Sequence, residues 1–373
     1  MKINLLVLIM FFLMNNSLFA QSDHYLIKHT LNNYIEGTSY NRTEQIKHAF
    51  HPKSNLFLSP RKQDKDLWIV PSTEYANWYN KNKDTFNGRY GHITNIQIED
   101  DVATAKVNIT IPEYELIYTD LFLLRKIASK WKIISKTAAS KKSNATGERI
   151  LFVVSNAQFH GTSTKPAGSS FSEIIKAYDT FVKAGYIVDF VSPQGGAITL
   201  AYINTSNTLH KQYLYNSDFM YAIKHTKQPT EIISKNYKAI HYIGGSSAIY
   251  GVPENVQIQK IAMDIYEKHH GIISSVCHGT AGIVNLKTKD GQYLVNNKQI
   301  SGYPEAYENQ NAEYFKQFPF LIQRTIEDRK GIFKTSAKGE PHVEVDGRII
   351  TGQNHLSSVL VAQEIINLLK NKT

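Results

Sequence analysis

The chain has one cysteine, Cys277, and the residue after it is a histidine, His278. An apolar run from Gly271 to Val276 stops at this pair, and the small residues Gly279, Thr280, Ala281 and Gly282 follow. That spacing predicts a strand that ends at the cysteine and turns directly into a helix. At such an elbow the side chain is held out of the sheet, and the first backbone N–H groups of the helix are aimed at it. Those donors and the helix dipole favour the thiolate, the nucleophilic form of cysteine. An isolated cysteine is more often an inert buried residue, but the adjacent histidine points to nucleophilic chemistry.

Cys277 must be positioned by a larger frame. From Arg149 onward, continuous apolar runs alternate with helix-like segments: a strand at 149–154, a helix at 171–184, strands at 186–191 and 237–243, a helix at 253–269, then the cysteine strand. Apolar strands without strict alternation indicate a mainly parallel sheet covered on both faces, a doubly wound α/β domain. Ligands on such sheets bind beyond the strand C-termini, where Gly244, Gly245 and Cys277 fall.

Before this domain the rhythm differs. Helix-like spacing at 24–35 and 42–50 is followed by long alternating stretches at 93–99, 102–111, 114–128 and 131–136. Helices followed by an antiparallel meander make an α+β unit with a curved sheet on its helices. The polar, aperiodic stretch around 139–148 reads as a linker. The expected organisation is a signal peptide at 1–20, a first domain at 22–138, the linker, and a second domain at 149–373. The signal peptide rests on Lys2, a short apolar core from Leu5 to Met14, and Ala20 before Gln21. Export to the periplasm or beyond puts a lone thiol among oxidants with no internal disulfide partner, which favours a catalytic use. The net charge of +10 comes from scattered Lys and Arg without an aromatic-interleaved basic stripe, so the sequence points to no nucleic-acid partner. No later segment is apolar enough to imply membrane insertion once the leader is removed.

Two resemblances sharpen this reading. Residues 22–138 resemble the nuclear transport factor 2-like superfamily, in its lumazine-binding branch, through Tyr34 to Thr38, Ala49 to Pro52, Tyr118 to Asp120 and Trp131 to Ile133. The resemblance implies a cone-like fold with an internal pocket and a homodimer formed through the sheet. Residues 149–369 resemble the ThiJ/PfpI superfamily, with its class I glutamine amidotransferase-like, flavodoxin-like fold. The carriers are Val276 to Gly279, Glu173 with Tyr178 and Phe181, Val188 to Gly196, Ser301 to Glu308, and Thr351 to Asn354. The match is closest to the branch of chaperones and glutathione-independent glyoxalase III enzymes.

That resemblance implies Cys277 as nucleophile, His278 as its base, Glu308 as the acid orienting the histidine, and Glu173 beside the sulfur as a proton carrier. It places Gly245 and Ser246 at the oxyanion position and His160 at the substrate pocket. The sequence departs from the family at Ser246 and Ser247, where a Gly-Gly-His-Gly run is common, at Thr280 and His355, where proline is usual, and at Gly251, where aspartate is common. The implied substrate is a small reactive carbonyl compound, converted without a metal, other cofactor or glutathione. Amide hydrolysis by the same nucleophile is the second enzymatic reading. A holding chaperone or stress sensor with a redox-active cysteine is the non-enzymatic one.

Overall fold

The computed structural model of the protein describes residues 22–60 and 66–371; the expected leader lies outside the described residues. Contacts divide the chain into two compact units, the first built mainly from residues before 141 and the second from 141 onward.

The first unit opens with helices Asp23–Ser39 and Thr43–Ala49. Ser22 caps the first helix by accepting from the Tyr25 N–H. Six strands follow in one sheet: Phe50–Leu58, Trp68–Pro71, Tyr90–Glu99, Val102–Ile111, Leu116–Ile127 and Lys130–Lys142. Two-residue connections join the third strand to the fourth and the fifth to the sixth, as an antiparallel meander requires. At the second of these, Ala128 and Ser129 both take positive φ, the geometry of a tight hairpin.

The sheet is not wholly antiparallel, as expected, but mixed. Phe50–Leu58, which carries no strict alternation, pairs parallel with Lys130–Lys142 and antiparallel with Trp68–Pro71. The long connection between the parallel partners supplies the crossover that such pairing needs. The last strand also runs to Lys142, into the stretch read as linker. Ladder hydrogen bonds belong to the backbone, so small and polar side chains there do not stop the strand.

The second unit holds a sheet with five parallel strands: Arg149–Val153, Ile187–Val191, Tyr237–Tyr242, Ile272–Val276 and Ile349–Gly352. Numbered by sequence, their spatial order is 2-1-3-4-5, the flavodoxin-like order, with Val343–Asp346 added antiparallel at one edge. Successive residues of the first strand face opposite sides. Ile150 and Phe152 pack with helices Phe171–Lys183 and Ser358–Lys370, while Leu151 and Val153 join the core that includes Ile258 and Ile261. This two-sided burial explains why the strands read as unbroken apolar runs.

The helix expected after Cys277 forms as a 3₁₀ run, Cys277–Ile283. It lies so close to the neighbouring strand that a Cβ at Gly282 would sit 2.2 Å from Tyr242 Cδ1. The Tyr242 ring is fully buried and has nowhere to retreat. Gly282→Ala is therefore expected to destabilise the second unit by about 1–3 kcal/mol, the usual range for overpacking. The urea midpoint of the near-ultraviolet circular dichroism transition reads this; an unchanged midpoint would mean that the 3₁₀ run moves away at no cost.

Candidate active site

Cys277 follows the extended Val276 and adopts φ +56°, a left-handed conformation that a non-glycine residue rarely takes. The elbow therefore forms as expected, and the sulfur stands at the C-terminal edge of the sheet with its residue 7% exposed. The His278 backbone N–H donates towards the sulfur. The electrostatic outcome nevertheless differs from the expected thiolate. Burial, and after it the charge of Glu173, push the thiol well above its ordinary value, and the single backbone donor offsets this only in part.

Glu173 lies on the helix Phe171–Lys183, three residues after its cap, Ser170. Ser and Glu at this spacing normally form a reciprocal capping box. Here only half of it forms: Ser170 Oγ accepts from the Glu173 N–H at 3.4 Å, while the Ser170 N–H goes to the Gly244 carbonyl. The Glu173 carboxylate is diverted. Its Oε2 accepts from the Gly244 N–H at 2.9 Å and its carboxyl hydrogen-bonds the Cys277 side chain. Gly244 makes this approach possible, because a Cβ there would lie 2.5 Å from Glu173 Oε2 and 2.9 Å from Cys277 Cβ. With the residue 2% exposed, burial raises the carboxyl from 4.5 to about 7, against the lowering influence of His278, Cys277 and the Gly244 amide. A solvated first-turn glutamate is excluded.

His278 links sulfur to acid. Its Nδ1 lies 3.4 Å from Cys277 Sγ, and its Nε2 lies 2.6 Å from Glu308 Oε1. Glu308 enters on the loop after the short strand Gln299–Ile300, just past a 3₁₀ turn at Glu305–Tyr307. Burial alone would raise its carboxyl; the hydrogen bond and charge of His278 and the Tyr314 hydroxyl, which donates to Oε2 at 2.9 Å, hold it below the ordinary value. Glu308 is thus an ionised acceptor that fixes the imidazole.

His160, Gly245 and Ser246 complete the group. His160 Nε2 lies 3.1 Å from Ser246 Oγ, so a histidine does reach the loop that lacks one of its own. Burial, followed by the nearby His278, lowers the His160 pKa, which keeps the ring neutral. The Gly245 and Ser246 amides enter no hydrogen bond among the described residues, as an oxyanion site requires. Thr280 ties the elbow down: its hydroxyl bonds Ser275 Oγ at 2.8 Å and the Ser301 carbonyl at 3.0 Å.

The structure adds residues that carried no role in the sequence reading. Tyr303 stacks on His278 with ring centroids 4.8 Å apart, and Phe318 meets the same ring edge-on. Tyr202, in a left-handed conformation, hydrogen-bonds the Ser246 side chain, and burial, followed by its nearness to Cys277, pushes its hydroxyl up. Tyr303 lay within a run already singled out; Tyr202 and Tyr314 had no local signal. A cavity of about 10 Å³ touches His278, Tyr303 and Glu308, whereas a cleft of about 460 Å³ beside Val256, Lys260 and Tyr293 shares no residue with this site. Among the described residues no cluster of His, Cys, Asp and Glu could hold a metal ion.

Comparison with known proteins agrees with both halves of this picture. Residues 22–138 match the family model described as "Putative lumazine-binding", of the nuclear transport factor 2-like type. A glutathione-independent glyoxalase of Schizosaccharomyces pombe is 26% identical over 251 residues, which span 61% of this chain and 100% of the relative. Glyoxalase 3 of Candida albicans is 26% identical over 54% of this chain and 89% of its own length. The crystal structure of glyoxalase III from Candida albicans superposes with a TM-score of 0.53 at 25% identity, covering 59% of this chain and 96% of that one. The DJ-1/PfpI family model spans residues 166–368, just over half of the chain, and encloses the elbow, the diverted glutamate and the acid loop. With the 2-1-3-4-5 sheet beneath them, these residues make the chain a member of the DJ-1/PfpI family.

Proposed function

We propose that the protein is a glutathione-independent, glyoxalase III-like enzyme that converts a 2-oxoaldehyde into a 2-hydroxy acid. One observation carries this reading: a buried carboxyl, titrating near neutrality, is hydrogen-bonded to a cysteine that also has its own histidine base. A group with such a pKa can both take and return a proton at neutral pH. A simple acyl transfer has no need of it.

In the proposed cycle His278 accepts the thiol proton, and the sulfur adds to the aldehyde carbon to give a hemithioacetal. Glu173 removes the hydrogen on that carbon as a proton, the electron pair shifts to the adjacent carbonyl oxygen, which takes the proton held by His278, and the enediolate forms. The protonated Glu173 then delivers the proton to the second carbon, leaving a thioester at the first. Water, deprotonated by His278, cleaves the thioester and releases the 2-hydroxy acid with the free thiol. The sum is 2-oxoaldehyde plus water, with no net oxidation. The Gly245 and Ser246 amides stabilise the oxyanions of addition and hydrolysis.

The same reading includes export, on the strength of the leader-like residues 1–20, and pairing of two chains through the first sheet, where Leu121 and Leu123 are exposed. Among the described residues no helix is long and apolar enough to cross a membrane.

The test is methylglyoxal consumption by reduced protein without glutathione, with the product followed by proton NMR in D₂O. Lactate is expected, with deuterium at C2 to the extent that the Glu173 carboxyl exchanges its proton with solvent before returning it. If folded protein leaves methylglyoxal untouched but cleaves amide substrates, the site is a hydrolase; if it does neither yet suppresses aggregation of a client, the holding reading replaces this one.

A further inference from the structure

The first unit contains a polar cluster to which neither the sequence reading nor the proposed reaction gives a use. Lys136 and Asp120 form an ion pair at 2.8 Å, both almost fully buried. Tyr34 donates to the other Asp120 oxygen at 2.6 Å, and its hydroxyl lies 3.2 Å from that of Tyr75, which in turn lies 3.2 Å from that of Tyr79. This chain of hydroxyls runs from the buried ion pair outward to the half-buried Tyr79. Arg89 stands at its outer end, with the guanidinium carbon 5.9 Å from the Tyr79 ring centroid.

The charges do not balance. Two cations, Arg89 and Lys136, face a single carboxylate, and Lys136 and Tyr34 already engage both of its oxygens. Arg89 Nε is buried with no hydrogen-bond partner, and Arg89 meets no carboxylate among the described residues. A guanidinium partly withdrawn from water without an anion is unfavourable, and its planar fork fits a carboxylate with two parallel hydrogen bonds. The excess is one positive charge, which matches a monoanion; a dianion would leave a surplus negative charge facing Asp120. Beside the fork, the Tyr75 ring packs against Tyr79 at 5.5 Å and against Trp78 at 5.1 Å, centroid to centroid, and this aromatic group offers a flat apolar body something to stack on.

We propose that the first unit binds a small monocarboxylate with a flat apolar body, held by Arg89 at the outer end of the Tyr34, Tyr75 and Tyr79 hydroxyl chain. This site is independent of the chemistry at Cys277.

Calorimetric titration of the full chain with benzoate, and with neutral benzamide as its isostere, tests the proposal. Benzoate is expected to bind one per chain, with benzamide at least about tenfold weaker, and to quench the tryptophan fluorescence through Trp78. Arg89→Met is expected to abolish benzoate binding while leaving methylglyoxal turnover as in the wild type, whereas Cys277→Ser leaves benzoate binding unchanged. The comparison of benzoate with benzamide in the wild type stands even if Arg89→Met fails to fold. Equal affinity for the two compounds, no saturable benzoate heat, benzoate binding that survives in folded Arg89→Met, or binding that disappears in Cys277→Ser would each overturn the proposal.

Discussion

Cys277→Ser is expected to lower kcat/KM for methylglyoxal by ~10⁴-fold or more, the scale at which loss of a nucleophile leaves only binding and oxyanion stabilisation. The sulfur is the atom that adds to the aldehyde, and a serine hydroxyl in the same place titrates far higher. Its contact with His278 Nδ1, already 3.4 Å for the larger sulfur, would lengthen. The fold should tolerate the change. Serine takes the left-handed φ of +56° no worse than cysteine does, and the substitution keeps size and shape. Stability is expected to stay within about 1 kcal/mol, measured by chemical denaturation beside the kinetics. Full activity in the serine variant would remove the nucleophile from the mechanism.

Glu173→Gln has the second largest expected effect, and it acts in two directions. Glutamine still accepts from the Gly244 N–H and can donate to the sulfur, but it cannot take a proton from carbon. kcat is expected to fall by about 10²–10⁴-fold, the range for loss of a general acid–base, together with the ascending limb of the pH–rate profile near 7. Stability should move the other way. The folded carboxyl titrates at about 7 against an ordinary 4.5, so it binds its proton more tightly folded than unfolded. The stability this confers is fully present below pH 4.5 and is lost as pH rises through 7. Glutamine escapes that loss. The variant should match the wild type near pH 4, gain on it between 4.5 and 7, and end on the order of 3 kcal/mol more stable above pH 7. Urea midpoints across that range check the sign. A gap that is constant with pH, or that favours the wild type in alkali, contradicts a buried and proton-binding Glu173.

These two residues were not equally legible. Cys277 announced itself locally: an apolar strand, a cysteine, a histidine and a run of small residues specify an elbow within a dozen positions. Glu173 stands three residues after Ser170, the spacing of a capping box. Its spacing from Ser170 is the same whether the carboxylate turns back to the helix or onto the sulfur, and only the approach of Gly244 decides which. Family resemblance assigned it a role, but its protonation follows from burial, which no local pattern encodes. The first unit shows the same limit. Asp120 shares strand parity with the buried Phe122 and Leu124, so an inward charge could have been suspected. Its partners Lys136 and Tyr34 come from a different strand and a helix, and their meeting is a property of the packed unit.

By itself, then, the sequence determined those features that depend on neighbours along the chain. They are the alternation of strands and helices that leads to Cys277, the two-part organisation, the two-sided burial of the second sheet and the cysteine elbow. Tertiary structure alone decided what depends on neighbours through space. It set the parallel pairing of Phe50–Leu58, the seating of His278 on Glu308 thirty residues away, the rise of the Cys277 thiol where a lowered one was expected, and the charge imbalance at Arg89. Backbone preference and hydrophobic period act over a few residues, whereas desolvation and charge pairing depend on everything within a few ångströms in the folded chain.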